Sequence, residues 1–283
     1  MSKLLTIEDL YNPSNDWKPL LEHITWLGTA LEQWTELDTG FGRTIPVYLG
    51  DDTKRSPGLH ASELNTCIRQ ATYSLRGDER NPGKIDANMR MRFRLGTMMH
   101  ASLQDDFEHL CAQTLGRVSF EDEVRISKEM GGVAAQYDYA SSCDGVFTFC
   151  DDCGQPYLRL GLEIKTMSAG EYDKAKAPKP EHVQQATLYQ KCLDLPLVWY
   201  LYYNKSNSNW TRPSAPWVVP FAKDSWSILE ARSIQVHQHV AVGTLPDREE
   251  GMPCTWCPFS DSCGPAFTKL RSRYTGPPRR FGR

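Results

Sequence analysis

The chain of 283 residues contains no apolar run approaching the roughly 18 residues of a membrane span, so no bilayer crossing is expected. The opening MSKLLTIEDLYNPSND has neither a long apolar core nor a small-residue cleavage site, and no secretory signal is read there. No glycine-rich loop ends in Gly-Lys-Ser/Thr, which excludes a P-loop motor, and no internal repeat is found. An excess of positive charge is also missing. Lys and Arg total 32 against 35 Asp and Glu, for a net charge of −3, which argues against a uniformly basic nucleic-acid coat. That balance still leaves room for an acidic metal site with locally basic edges. A soluble, cytoplasmic protein is the expectation.

Cysteine is the residue the chain has in quantity. Nine are present, at 67, 111, 143, 150, 153, 192, 254, 257 and 263. An odd number with no secretory signal disfavours a disulfide framework, so clustered cysteines are better read as metal ligands. Hydrophobic content of 40% and charged content of 24% are ordinary for a globular chain long enough for one large core or two small ones.

Residues 1–56 read as an N-terminal helical extension, with a helix over about 17–37 whose Leu20, Leu21, Ile24, Leu27 and Leu31 fall near helical spacing. The main domain spans 57–268, and 269–283 form a basic tail. Ser62 is the expected N-cap of a helix over 63–75 stopped by Gly77, and a long helical pattern follows over about 86–115. Then VSFEDEVRIS, SCDGVFTFC and YLRLGLEIKT read as strands, the last two joined by the turn DDCGQP. The basic loop SAGEYDKAKAPKP leads to a helix, EHVQQATLYQKCLDL, and LVWYLYYN reads as a buried strand. WVVPF is a further strand and DSWSILEARSIQVHQHV a helix.

In LGLEIKT, alternation places Leu160, Leu162 and Ile164 on one face and Gly161, Glu163 and Lys165 on the other. Alone, such an E-x-K pair is an ordinary exposed ion pair. Pairing Cys150 with Tyr157 across the turn, however, sets Asp144 opposite Glu163, on the face that carries Lys165. Two carboxylates then converge on one divalent cation of the Mg²⁺ or Mn²⁺ type. Lys165 would stand beside them to orient a water or offset developing negative charge. His100 follows Gly96 by four residues on the long helix, where the glycine allows close approach to another backbone. Gln185 and Tyr189 share a helix face, with His182 one turn earlier.

In order, these residues form the series His100 (helix), Asp144 (strand), Glu163-x-Lys165 (next strand) and Gln185-x3-Tyr189 (next helix). The series resembles the PD-(D/E)XK nuclease superfamily in its RecB-like branch, over roughly residues 60–265. The resemblance implies a restriction-endonuclease-like α/β fold, with a mixed central β-sheet flanked by helices. It implies that His100, Asp144 and Glu163 bind Mg²⁺ or Mn²⁺, that Lys165 assists catalysis, and that Gln185 and Tyr189 support the site and the bound DNA. The chain departs from the pattern in having Cys143, not proline, before Asp144.

Cys254, Cys257 and Cys263 are a tight set, and a thiolate-held metal generally wants a fourth ligand, for which Cys67 is the best candidate. One cysteine before the nuclease motifs and three after them resembles the iron–sulfur RecB-like nucleases, a group that includes the AddB nuclease domain and CRISPR-associated and phage exonucleases. The resemblance implies a [4Fe–4S] cluster clasping the two ends of the domain; spacing alone leaves a Cys₄ zinc site open. Cys150 and Cys153 read as part of a hairpin turn, with a second metal as the alternative, and Cys111 and Cys192 as core.

Arg90 and Arg94 share a helix face, without Arg92, and with Lys174, Lys176 and Lys179 they are candidates for phosphate contact. Tyr172, Arg279 and Arg280 would add stacking or charge. The expectation is a metal-dependent DNA exonuclease acting on single-stranded or frayed ends. Recombination or CRISPR-adaptation proteins are the implied partners, and an oligomer is compatible with the sequence. The alternatives are a non-catalytic DNA-end-binding partner protein with a structural cluster, and a zinc-binding structural protein in which the E-x-K pair is incidental.

Overall fold

The structure is a computed structural model, and it describes residues 3–11, 18–37, 57–81, 87–207, 210–211, 215–249, 254 and 257–263. In chain order the elements are α1 (Lys18–Leu37), α2 (Ala61–Thr66), α3 (Ile68–Arg76), α4 (Ala87–Ala112), β1 (Val118–Ile126), α5 (Gly132–Gln136), β2 (Ser141–Cys150), β3 (Pro156–Met167), α6 (Ala169–Tyr172), α7 (Pro180–Leu193), β4 (Leu197–Asn204), β5 (Trp217–Pro220) and α8 (Lys223–Ala241). The strands form one sheet in the order β1-β2-β3-β4-β5. Only β3 and β4 run parallel; the other neighbours are antiparallel. The long β3–β4 connection carries α6 and α7, as a parallel crossover requires. This is a mixed α/β fold of the restriction-endonuclease-like kind.

Alternation along β3 divides the core in two. Leu158, Leu160, Leu162 and Ile164 face Leu20, Ile24, Leu27 and Leu31 of α1 and Leu103, Phe107 and Leu110 of α4. On the opposite face, Val146, Val198, Tyr200 and Tyr202 pack with Leu64, Ala186, Leu188, Tyr189, Trp226 and Leu229 from α2, α7 and α8. Gly161 lies on this second face, where a Cβ would stand 3.0 Å from Val198 and 3.1 Å from Leu195. Leu27 is 0% exposed, so Leu27→Ala should cost about 2–5 kcal/mol, read as a lowered urea midpoint with an unchanged slope.

Three details differ from the sequence reading. The helix expected over 63–75 is two helices, because Cys67 is extended (φ −157°, ψ 120°) between α2 and α3. His60, not Ser62, occupies the N-cap position of α2. The third concerns the β2–β3 register, which runs as expected from Gly145↔Leu162 to Phe149↔Leu158 and then shifts, so that Cys150 pairs with Pro156 rather than Tyr157. The shift lies in the turn and leaves the alignment toward Asp144 intact. Gly77 ends α3 in the left-handed conformation (φ 76°), with its N–H bonded to the Tyr73 and Ser74 carbonyls. No described helix is long and apolar enough to cross a membrane. The tail, with Arg279 and Arg280, lies outside the described residues.

Candidate metal and nuclease site

Gly96 brings α4 across the C-terminal end of β3: a Cβ there would stand 3.3 Å from Thr166 Oγ1, so the close neighbour is a side chain, not backbone. One turn further on, His100 Nδ1 lies 3.5 Å from Asp144 Oδ1. The other oxygen of Asp144 accepts the Ile164 backbone N–H at 2.6 Å, which fixes the carboxylate against β3. Glu163 is 1% exposed and ion-paired with Lys165, and its Oε1 is buried with no hydrogen-bond donor beyond that contact.

Two irregularities create this meeting point. The even-numbered Val118 belongs to the α1/α4 face of the sheet, whereas the equally even-numbered Val124 and Ile126 belong to the α7/α8 face. The inversion falls at Glu123, which has a left-handed φ of 44°. In β2, Cys143 and Val146 share one face although three residues apart, so alternation also breaks around Asp144. Cross-strand pairing runs through Asp122↔Gly145 and Val124↔Cys143 but omits Glu123 and Asp144 between them. The Asp144 carbonyl, freed from the ladder, accepts Gln104 Nε2 at 2.7 Å instead.

Electrostatics follow from burial and crowding. Burial raises the Glu163 carboxyl above the usual range, and the Asp144 charge adds to this against the pull of Lys165. Burial works on Asp144 in the same direction, but His100 and Lys165 outweigh it and hold it low. Burial would lower His100 and Lys165, yet the facing carboxylates raise both. Tyr189 is buried, accepts a hydrogen bond from Gln185, and is pushed well up by burial and then by Glu163 and Asp144. Tyr202, level with Lys165 in the parallel register, contacts His182 Nδ1 through its hydroxyl at 2.7 Å and accepts the Lys179 N–H at 2.8 Å. Burial, and then Lys165, lower His182 to about 4. Its imidazole should therefore stay neutral across the physiological range; an NMR titration midpoint near the ordinary 6.5 would contradict this.

Glu123, which the sequence reading did not single out, lies beside these residues. Its carboxylate, His100 and Asp144 offer ligand atoms that all lie within 4.8 Å of one another, the one such set of three His, Cys, Asp or Glu side chains among the described residues. The acidic run Glu121-Asp122-Glu123 inside a strand was the available signal.

The cysteines separate as their positions suggest. Cys67, Cys254, Cys257 and Cys263 line one cavity, together with Arg69, Tyr73, Arg248 and Glu249. The C-terminal segment is clasped to α3 and the loop after it by several contacts. Phe259 stacks on Tyr73 (5.2 Å between centroids), Arg80 lies over the Phe259 ring, and Asn81 donates to the Pro258 carbonyl and to Asp261. Burial raises the Cys257 thiol to about 11. Cys150 and Cys153 flank an ordinary turn in which Asp151 Oδ1 accepts the N–H groups of Cys153 and Gln155. Cys111 and Cys143 are buried in the core, and Cys192 packs partly buried against it.

Of the cationic candidates, Arg90, Arg92 and Arg94 are exposed on the N-terminal half of α4, and Lys174 and Lys176 are exposed between α6 and α7. Lys179 is half-buried and paired with Glu171 at 3.0 Å. Tyr172 packs against the core, which leaves Phe93, 48% exposed and two turns before His100 on the same helix, as the better placed aromatic.

No family model and no curated protein matches the chain. Among solved structures it is similar to the crystal structure of SSO0001, with 15% identity and a TM-score of 0.45, over 88% of this chain and 96% of that one. It is also similar to LHK-Exo in complex with dAMP, with 12% identity and a TM-score of 0.38, over 66% of this chain and 89% of that one.

Proposed function

We propose that the chain is a divalent-metal-dependent deoxyribonuclease of the RecB-like PD-(D/E)XK type, acting from single-stranded or frayed DNA ends. The observation that carries the reading is the meeting of His100, Asp144 and the Glu163–Lys165 pair at the one place where α4 crosses the end of β3. The residues fit a hard cation: His100 and Asp144 lie 3.5 Å apart, and the buried Glu163 Oε1 beside them has no hydrogen-bond donor beyond the Lys165 ammonium. His100, Asp144 and Glu163 would hold Mg²⁺ or Mn²⁺. The cation would polarise the scissile phosphate and activate a water. Lys165, fixed by Glu163, orients that water and offsets charge as it develops on phosphorus. In the overall hydrolysis water supplies hydroxyl to phosphorus, a P–O ester bond breaks, and the leaving oxygen takes the proton. Gln185 and Tyr189 brace the carboxylates from α7, while Arg90, Arg94, Lys174 and Lys176 take phosphates and Phe93 offers a base a stacking surface.

The four-cysteine cavity is read as a [4Fe–4S] site. Tetrahedral zinc, with Zn–S near 2.3 Å, would set its sulfurs about 3.8 Å apart. Cys67, Cys254, Cys257 and Cys263 line one cavity, which supports a metal held by all four thiolates, and the colour of the protein distinguishes an iron–sulfur cluster from zinc. A cluster here would tie Cys67, at the α2–α3 break, to the C-terminal segment.

End dependence is tested by offering linear and circular single-stranded DNA of the same sequence with Mn²⁺. The proposal expects the linear strand to shorten and the circle to persist. Equal loss of both would replace the exonuclease by an endonuclease, and persistence of both would favour a DNA-end-binding protein.

A further inference from the structure

The geometry points to Glu123 as a direct ligand of the divalent cation, alongside His100 and Asp144; the inference rests on the nuclease reading of the same site. The motif series has no place for this residue, which lies on β1, next to the strand β2 that carries Asp144 and two strands from β3, which carries Glu163. Three observations converge on it. First, its carboxylate shares with His100 and Asp144 a set of ligand atoms all within 4.8 Å, and Glu163 is not part of that set. Second, one buried side chain aims both carboxylate-bearing residues. Gln104 is 6% exposed, lies one turn beyond His100 on α4, and donates from Nε2 to Glu123 Oε1 at 3.2 Å and to the Asp144 carbonyl at 2.7 Å. Third, the local charge is unbalanced even with His100 counted. Glu123, Asp144 and Glu163 bring three carboxylates against the Lys165 ammonium and the His100 imidazole, which lies 3.5 Å from Asp144. The buried Glu163 Oε1 meets no hydrogen-bond donor beyond that ammonium, and a divalent cation would offset the remaining negative charge.

The backbone accommodates this arrangement. A glutamate with φ of 44° is in a region that favours glycine or asparagine, and the cross-strand pair Glu123–Asp144 is left out of an otherwise continuous ladder. Mixed imidazole and carboxylate donors favour Mn²⁺ over Mg²⁺, since nitrogen ligation suits the transition ion better.

The test is Mn²⁺ binding to the DNA-free protein by titration calorimetry, with Mg²⁺ for comparison. Wild type should bind Mn²⁺ more tightly than Mg²⁺, and Glu123→Gln should weaken Mn²⁺ binding by about 10-fold or more, as loss of a coordinating or orienting group does. Because φ at 123 suits glycine, Glu123→Gly should keep or raise the metal-free melting temperature while losing the same affinity, which separates ligation from folding. Gln104→Leu should lose less affinity than Glu123→Gln; an equal loss would make Glu123 a positioning residue and overturn direct ligation. Unchanged Mn²⁺ affinity in Glu123→Gln, with affinity lost in Asp144→Asn, would sink this inference and leave the nuclease reading standing. A wild type that binds no Mn²⁺ would sink both.

Discussion

Lys165→Met should lower Mn²⁺-dependent DNA cleavage by about 10³-fold or more while leaving DNA binding and Mn²⁺ binding in place. The magnitude is that of removing a preorganised electrostatic group aimed at charge that develops in the transition state. Methionine keeps the length of the side chain and removes only the ammonium. That ammonium contacts Glu163, and Lys165 is level with Tyr202 in the parallel β3–β4 register. Removing one member of a buried ion pair strands the other, so the metal-free variant should also be less stable by up to about 3–5 kcal/mol. Mn²⁺ should recover part of that loss, because a cation beside Glu163 replaces the missing charge. Single-turnover cleavage at saturating Mn²⁺, with fluorescence anisotropy on the same labelled strand, separates chemistry from binding. If the variant cleaves as wild type does, Lys165 has no catalytic role and the activity lies elsewhere.

The second large effect is expected at the cysteines. Cys67→Ser and Cys257→Ser should each yield colourless protein depleted of iron, whereas Cys192→Ser should remain brown. Cys192 lies outside the cavity lined by Cys67, Cys254, Cys257 and Cys263. Metal binding of this kind is coupled to folding, so the colourless variants should melt earlier, by an amount equivalent to several kcal/mol. Their far-ultraviolet circular dichroism should nevertheless stay near that of wild type, because both halves of the sheet core are built without the cysteine segment. The segment also has contacts of its own to fall back on: Phe259 stacks on Tyr73, the Tyr73 hydroxyl donates to the Ser262 carbonyl at 3.1 Å, and Asn81 donates to the Pro258 carbonyl and to Asp261. Wild-type protein that is colourless and carries one zinc per chain would replace the iron–sulfur cluster with a Cys₄ zinc site and leave the nuclease assignment untouched.

Much of the site was legible because it depends on periodicity. Alternation in LGLEIKT puts Leu160, Leu162 and Ile164 on one face, as the structure has them, and symmetry about the DDCGQP turn gives the register that the structure follows as far as Gly145↔Leu162, one residue short of Asp144. Helical spacing likewise marked Leu20, Ile24, Leu27 and Leu31 as a buried stripe, although Leu21 turned out exposed. What escaped was set by tertiary packing. Nothing in N-T-C-I disfavours a continuous helix, yet Cys67 is extended, and the break presents its thiol to the C-terminal cysteines. Glu123 escaped for a related reason. A left-handed φ is a property that glutamate does not announce, and the face inversion it causes in β1 is visible only once Val118 and Val124 are found on opposite sides of one sheet. Arg90, Arg94, Lys174 and Lys176 are exposed, as side chains proposed to take phosphates need to be.

The most direct test of the central claim is cleavage of end-labelled single-stranded DNA by wild type and by Asp144→Asn, each with Mn²⁺ and with chelator. Asp144 is the residue on which the His100 contact, the Ile164 N–H and the Gln104 amide all converge. The account predicts stepwise shortening by wild type in Mn²⁺ alone, with the label lost first marking the strand polarity, and no shortening by the variant. Intact DNA under every condition, or cleavage that is the same in both proteins, would contradict it.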